Sequence, residues 1–130
     1  MSIRYGIIGL GIIAARFVKV LNKAEGVELV AVAARDRGKA EVFADKYHAK
    51  KSYGSYTELI DDEEVDVVYV ALTHNFHYDI VKYCLNKGKA VLCEKPLTTD
   101  KKDTEGLIAL SHEKNVLLME AMWMKCIPAY

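Results

Sequence analysis

The chain has 130 residues, with 18 basic and 18 acidic side chains and no formal net charge. That length suits one domain with a real core, and the balanced charge excludes a strongly basic nucleic-acid face as the default partner surface. With 52 % hydrophobic and 28 % charged residues, the composition is that of a soluble globular protein, and no apolar run nears the ~20 residues that span a bilayer. Met1-Ser2-Ile3-Arg4 runs straight into an apolar segment, without a charged leader and small-residue cleavage site, so a cytoplasmic protein is expected. Cys84, Cys93 and Cys126 are odd in number and form no CxxC pair, which reads as reduced thiols. Cys84 and Cys93 lie in apolar segments and read as small buried hydrophobes.

Strands and helices alternate along the chain. Residues 3–10 are apolar and β-branched, bounded by glycine, and predict a buried strand. Residues 12–23 carry Ile13, Phe17, Val20 and Leu21 at helical spacing and end at Gly26. A second apolar run covers 27–34, and a helix over 39–47 turns Ala40, Phe43 and Ala44 inward. Short elements follow: a strand at 51–53 and a helix at 56–61. Residues 65–72 form a third strong strand. The helix at 78–87 points Ile80, Val81, Cys84 and Leu85 inward and stops at Gly88. A strand at 90–93, a helix at 101–114 with Leu107, Ile108 and Leu110, and a strand at 116–119 complete the pattern. Continuous apolar strands need both sheet faces covered, and alternation with helices implies right-handed crossovers. The expected fold is therefore α/β, a doubly wound and mostly parallel sheet in a single domain.

The first strand-to-helix connection reads Gly9-Leu10-Gly11-Ile12-Ile13-Ala14. A glycine-rich turn alone is a weak signal, but here it follows a buried strand and opens a helix at the head of an αβ alternation. Gly9 permits the tight turn, Gly11 lets backbone approach a pyrophosphate, and Ala14 in place of a third glycine still allows close helix–strand packing. The anion would rest on the helix N-terminus, against Gly9, Gly11, Ile12 and Ile13, where N–H groups and the dipole favour it. This is the fingerprint of a dinucleotide-binding Rossmann domain.

The second strand decides the dinucleotide. NAD enzymes place a carboxylate at its end to hold the ribose diol. Here that position is Ala34, and Arg35 follows, whose guanidinium suits a 2′-phosphate through paired, charge-assisted hydrogen bonds. NADP is therefore the expected cofactor. NAD is the alternative, with Arg35 a solvated loop charge and Asp36 on the ribose.

Four stretches resemble one family. Gly6-Ile7-Ile8-Gly9-Leu10-Gly11-Ile12-Ile13-Ala14 is similar to its opening, and Ala33-Ala34-Arg35-Asp36 to its NADP-using members. Ala90-Val91-Leu92-Cys93-Glu94-Lys95-Pro96-Leu97 contains its Glu-Lys-Pro signature, and Met119-Glu120-Ala121-Met122-Trp123, with Pro128, resembles its exit from the Rossmann domain. The chain thus resembles the N-terminal domain of the glucose-fructose oxidoreductase/inositol dehydrogenase (Gfo/Idh/MocA) family, over essentially its whole length. The resemblance implies an NAD(P)-dependent oxidoreductase that moves a hydride between nicotinamide and a sugar, polyol or dihydrodiol. A non-catalytic nucleotide sensor of the same fold is the alternative, and retention of Lys95 speaks for the enzyme.

Lys95 lies just beyond the carboxyl end of a strand, where open α/β sheets bind ligands, and its place before Pro96 holds its backbone extended. The resemblance makes it the catalytic residue, hydrogen-bonded to the substrate hydroxyl or carbonyl beside the nicotinamide, and puts Glu94 on the cofactor's ribose or nicotinamide side. In relatives the peptide before Pro96 is cis, although X–Pro bonds are trans by default. Thr73-His74-Asn75-Phe76-His77 resembles the family's Thr-Pro-Asn-x-x-His loop, with His74 where proline is usual. Leu72, Thr73, Asn75 and His77 are accordingly expected along the cofactor cleft. A metal held by His74 and His77 is the competing idea, but two histidines without a ligand cluster make a poor site, so none is expected. His48 and His112 read as surface residues.

Relatives carry a second domain, an open antiparallel sheet. It supplies a downstream histidine or tyrosine for proton transfer, much of the substrate pocket and usually the interface of a homo-oligomer. The resemblance assigns residues 1–122 to the cofactor domain and 123–130 to the start of the connection. Lys125 stands where many relatives have arginine. It also implies that these 130 residues bind cofactor but turn over substrate poorly, and that apolar surface over 119–127 is bare.

Overall fold

The computed structural model describes residues 2–121, with His74 described in its backbone alone. Six strands form one parallel sheet: β1 (Ile3–Ile8), β2 (Val27–Ala33), β3 (Lys51–Tyr53), β4 (Val67–Val70), β5 (Ala90–Glu94) and β6 (Leu118–Ala121). Their spatial order is β3-β2-β1-β4-β5-β6. The chain winds outward from β1 in one direction, returns, and winds outward from β4 in the other. The β1–β4 boundary is thus the switch point, where crossovers leave in opposite directions and open a crevice at the carboxyl edge. The helices are α1 (Ile12–Leu21), α2 (Arg37–Tyr47), α3 (Tyr56–Ile60), α4 (His77–Asn86) and α5 (Lys101–Lys114), with a 3₁₀ turn at His74–Phe76 before α4. None of the described helices is long and apolar enough to cross a membrane.

Strand alternation splits the core in two. Ile8, Ala31, Val68, Val70, Val91 and Cys93 face the side covered by Leu59 and Ile60 of α3, Val81, Cys84 and Leu85 of α4, and Leu107 of α5. Ile7, Leu29, Val32 and Tyr69 face Ala14, Val18 and Leu21 of α1 and Phe43 and Ala44 of α2. Neighbours in sequence, such as Ile7 and Ile8, are both fully buried on opposite faces, as period-2 side-chain direction requires. Phe17 stacks on Tyr69 with ring centroids 4.0 Å apart and leans on Tyr5 at 5.9 Å, which ties α1 to β1 and β4 with aromatic area.

The expected helix stripe of α1 is rotated by one residue. Ala14, Val18 and Leu21 are buried and Phe17 partly so, whereas Ile13 and Val20 are exposed. The close approach of α1 to the sheet after a glycine turn selects the small side chain at position 14, and that turns Ile12 and Ile13 outward. Helix α2 begins two residues earlier than periodicity predicts, because Asp36 caps it: its carboxylate accepts from Lys39 N at 3.3 Å. At the far edge, Asn115 ends α5 in the left-handed conformation. This turn displaces β6 to Leu118–Ala121 from the expected 116–119. Leu117 and Met119 are exposed there; the rest of the apolar surface expected over 119–127 lies mostly outside the described residues.

Candidate functional site

The carboxyl ends of β1, β2, β4 and β5 share one edge of the parallel sheet, so their following loops converge. Gly9 stands after β1 with φ +88°, and a Cβ there would lie 2.7 Å from the carbonyl oxygen of Ala71. Only glycine lets β1 and β4 diverge this closely. Gly11 is extended, caps α1 without a side-chain hydrogen bond, and would place a Cβ in open space. The start of α1 is therefore a bare helix N-terminus flanked by a glycine with nothing above it, a cradle for an anionic group. Ile12 and Ile13 project from it into solvent, Ile12 at 75 % exposure.

Beyond β2, half-buried Ala34 donates its N–H to Tyr53 O, and Arg35 is exposed. The Arg35 guanidinium lies over the Phe76 ring, 5.4 Å from its centroid, so the loops after β2 and β4 meet across the turn. Asp36 caps α2 through one carboxylate oxygen, which accepts from Lys39 N. An open cavity of about 740 Å³ extends from Gly11 and Ile12 between α1 and α2, lined by Asp36, Lys39, Phe43 and Lys46. Lys39 is a cation the sequence reading passed over. Its signal was its position three residues after the capping Asp36, in the first turn of a helix.

On the other side of the turn, Leu72 is half-buried and Thr73 exposed, with Thr73 Oγ1 donating to Asn75 Oδ1 at 2.7 Å. Glu94 closes β5, and its Oε1 accepts from the hydroxyl of buried Tyr69. Lys95 follows, exposed, with the Lys95–Pro96 peptide cis. The next amide, Leu97 N, donates to Glu120 Oε2 at 2.6 Å, so β6 anchors the loop. Tyr69 and Glu120 escaped the sequence reading, because only strand pairing brings them to the Glu-Lys-Pro segment.

His77 does not reach the cleft. It is 1 % exposed, with Nδ1 2.8 Å from Pro96 O and Nε2 2.8 Å from Leu72 O. The sequence reading placed this side chain with Asn75 along the cofactor cleft. Strand and loop packing instead turns it inward as a brace between two loops, and leaves neither ring nitrogen for a metal shared with His74.

Both cysteines within the described residues are free and buried. Burial pushes the Cys84 thiol up to about 12 and raises that of Cys93, the nearby Glu120 and Glu94 carboxylates adding to it. Burial thus disfavours the thiolate in both, and Cys126 lies outside the described residues.

A doubly wound sheet with a bare glycine turn at its switch point, cations beside it and a Glu-Lys-Pro segment opposite, defines a nucleotide-binding domain of the Rossmann type. The profile of the GFO_IDH_MocA family, described as "Oxidoreductase family, NAD-binding Rossmann fold", matches residues 3–122, and the chain belongs to that family. Curated relatives include the trans-1,2-dihydrobenzene-1,2-diol dehydrogenases of mouse (Mus musculus), 44 % identical over 131 residues, and of Xenopus laevis, 45 % identical over 132. The match covers 99 % of this chain and 39 % of the mouse protein, and 100 % and 40 % for the frog protein. The chain thus spans about two-fifths of the length of these relatives. Among solved structures it is similar to KijD10, a 3-ketoreductase from Actinomadura kijaniata in complex with NADP. The TM-score is 0.94 at 35 % identity, covering 99 % of this chain and 41 % of that one. A probable dehydrogenase from Thermotoga maritima gives a TM-score of 0.87 at 30 % identity, over 91 % and 35 % of the two chains.

Proposed function

We propose that this chain is the NADP(H)-binding half of an oxidoreductase acting on a sugar, polyol or dihydrodiol carbon. The observation that carries the reading is the arrangement along one sheet edge. Arg35 and Lys39 lie on one side of an uncapped glycine turn, and Glu94 and Lys95 on the other. The mouse and frog relatives act on a dihydrodiol by name, and KijD10 is a ketoreductase seen with NADP, which supports both the hydride chemistry and the phosphorylated cofactor.

The residues fit that cofactor. The bare α1 N-terminus with Gly9 and Gly11 takes the pyrophosphate. Arg35 grips the 2′-phosphate by paired hydrogen bonds, with Lys39 as a second charge beside it. Leu72, Thr73 and Asn75 form the wall after β4. Glu94, one carboxylate oxygen engaged by Tyr69, accepts from a ribose hydroxyl with the other. A bound nicotinamide supplies the hydride donor or acceptor, while the protein supplies orientation and electrostatics. Lys95 Nζ hydrogen-bonds the substrate oxygen, orienting it and stabilising charge that develops there.

Titration with NADPH and NADH, on the wild type and on Arg35→Ala, tests the reading. Tighter binding of NADPH is expected, with that preference falling at least about tenfold, or ~1.4 kcal/mol, in the variant. Equal or tighter binding of NADH by the wild type overturns the NADP assignment, and binding of neither overturns the cofactor reading.

A further inference from the structure

We infer that His77 is a positioning residue that sets the nicotinamide side of the cofactor cleft while touching neither cofactor nor substrate. The inference rests on the cofactor reading above. His77 opens α4, and its ring is sealed from solvent at 1 % exposure, so it has no surface to offer a ligand. Both ring nitrogens are spent on main-chain oxygens, Nδ1 toward Pro96 O and Nε2 toward Leu72 O, each at 2.8 Å. These two carbonyls are 24 residues apart in sequence and belong to different loops.

Each bridged loop carries site residues beside the bridged carbonyl. Leu72 is followed by Thr73 and Asn75, the wall after β4. Pro96 is preceded by Glu94 and Lys95, the residues of the ribose and the substrate. The ring therefore fixes the separation of the two loops that frame the nicotinamide half. The same Pro96–Leu97 peptide group is also held through its N–H, which Leu97 donates to Glu120 Oε2. Imidazole suits the task because its two nitrogens lie on opposite sides of a rigid ring and each carries a proton or a lone pair. The doubly protonated ring donates to both oxygens at once, the neutral ring to one. An amide side chain has its two donor hydrogens on a single nitrogen and cannot span the same gap. The 2′-phosphate end of the cleft, at Arg35, Lys39 and Gly11, receives no bond from His77; Arg35 meets the loop after β4 at the Phe76 ring, apart from the two bridged carbonyls.

This geography separates a positioning role from a merely structural one. NADPH uses both ends of the cleft. Adenosine 2′,5′-bisphosphate carries the adenine and 2′-phosphate and lacks the nicotinamide half. Calorimetric titration of the complete protein with each ligand is compared for wild type, His77→Leu and His77→Gln, with circular-dichroism melts of each. We expect His77→Leu to raise the Kd for NADPH about tenfold, equivalent to ~1.4 kcal/mol, and to leave the bisphosphate Kd within about twofold. His77→Gln, which keeps one bridge, should show a smaller loss with the same selectivity, and decides the matter should His77→Leu not fold. Parallel loss of both ligands overturns the inference, as does unchanged affinity for both. A wild-type protein that binds neither ligand overturns the cofactor reading and this inference with it.

Discussion

Gly9 and Gly11 stand two residues apart in the same turn, and the structure gives them opposite reasons for being glycine. At Gly9 the backbone has φ +88°, and a Cβ would meet the Ala71 carbonyl at 2.7 Å for oxygen and 2.9 Å for carbon. The left-handed backbone costs a residue with a Cβ about 1–2 kcal/mol, and forcing a methyl against fixed main chain adds about 1–3 kcal/mol. Gly9→Ala should therefore destabilise the domain by about 2–5 kcal/mol, a large part of the ~5–15 kcal/mol that holds a typical domain folded. At Gly11 the backbone is extended and a Cβ meets nothing within 4 Å. Losing a glycine cap and gaining a stiffer unfolded chain act in opposite directions, so Gly11→Ala should stay within about 1 kcal/mol of wild type. Its cost should appear only with ligand, where the methyl would stand in the pyrophosphate's place. NADPH at 100 times the wild-type Kd stabilises by ~2.7 kcal/mol; a tenfold weaker variant at the same concentration gains only ~1.4 kcal/mol. Urea unfolding followed by circular dichroism, with and without NADPH, reads both quantities. A Gly9→Ala loss below about 0.5 kcal/mol would refute the strain argument. Full NADPH stabilisation of Gly11→Ala would refute the cradle.

Lys95→Ala, assayed in the complete protein, should lower kcat by about 10²–10⁴-fold while the NADPH Kd stays close to wild type; unchanged turnover removes Lys95 from the chemistry. Acid stability should reflect the pair at the base of the sheet. The Arg4 side chain and N–H on Asp66 hold that carboxyl below the usual carboxylate range, outweighing its burial. The unfolded chain then binds more protons than the folded one near its ordinary value of ~3.9. Stability from this pair is therefore present above that pH and lost as pH falls through the lower folded value. A series of urea midpoints from neutral to acid pH should show a shallower acid loss in Asp66→Asn, and an unaltered slope would count against the pair.

Sequence periodicity and glycine placement alone determined the alternation of strands and helices, the turn at Gly9–Gly11, and the arrival of Arg35 and Lys95 at strand ends. These signals are local. An apolar strand run and a glycine needing positive φ each act within a few residues, and a parallel sheet then brings the strand ends to one edge. Contacts between distant segments were decided by tertiary structure. Tyr69 reads as one more apolar strand residue until β4–β5 pairing sets its hydroxyl against Glu94. Glu120 reads as part of the stretch resembling the family's exit from the Rossmann domain, and only β6 brings it to Leu97 N. His77 carries the sharpest difference. Its motif placed it on the ligand, and packing turned it inward between two main-chain carbonyls of separate loops, a contact that no local pattern records.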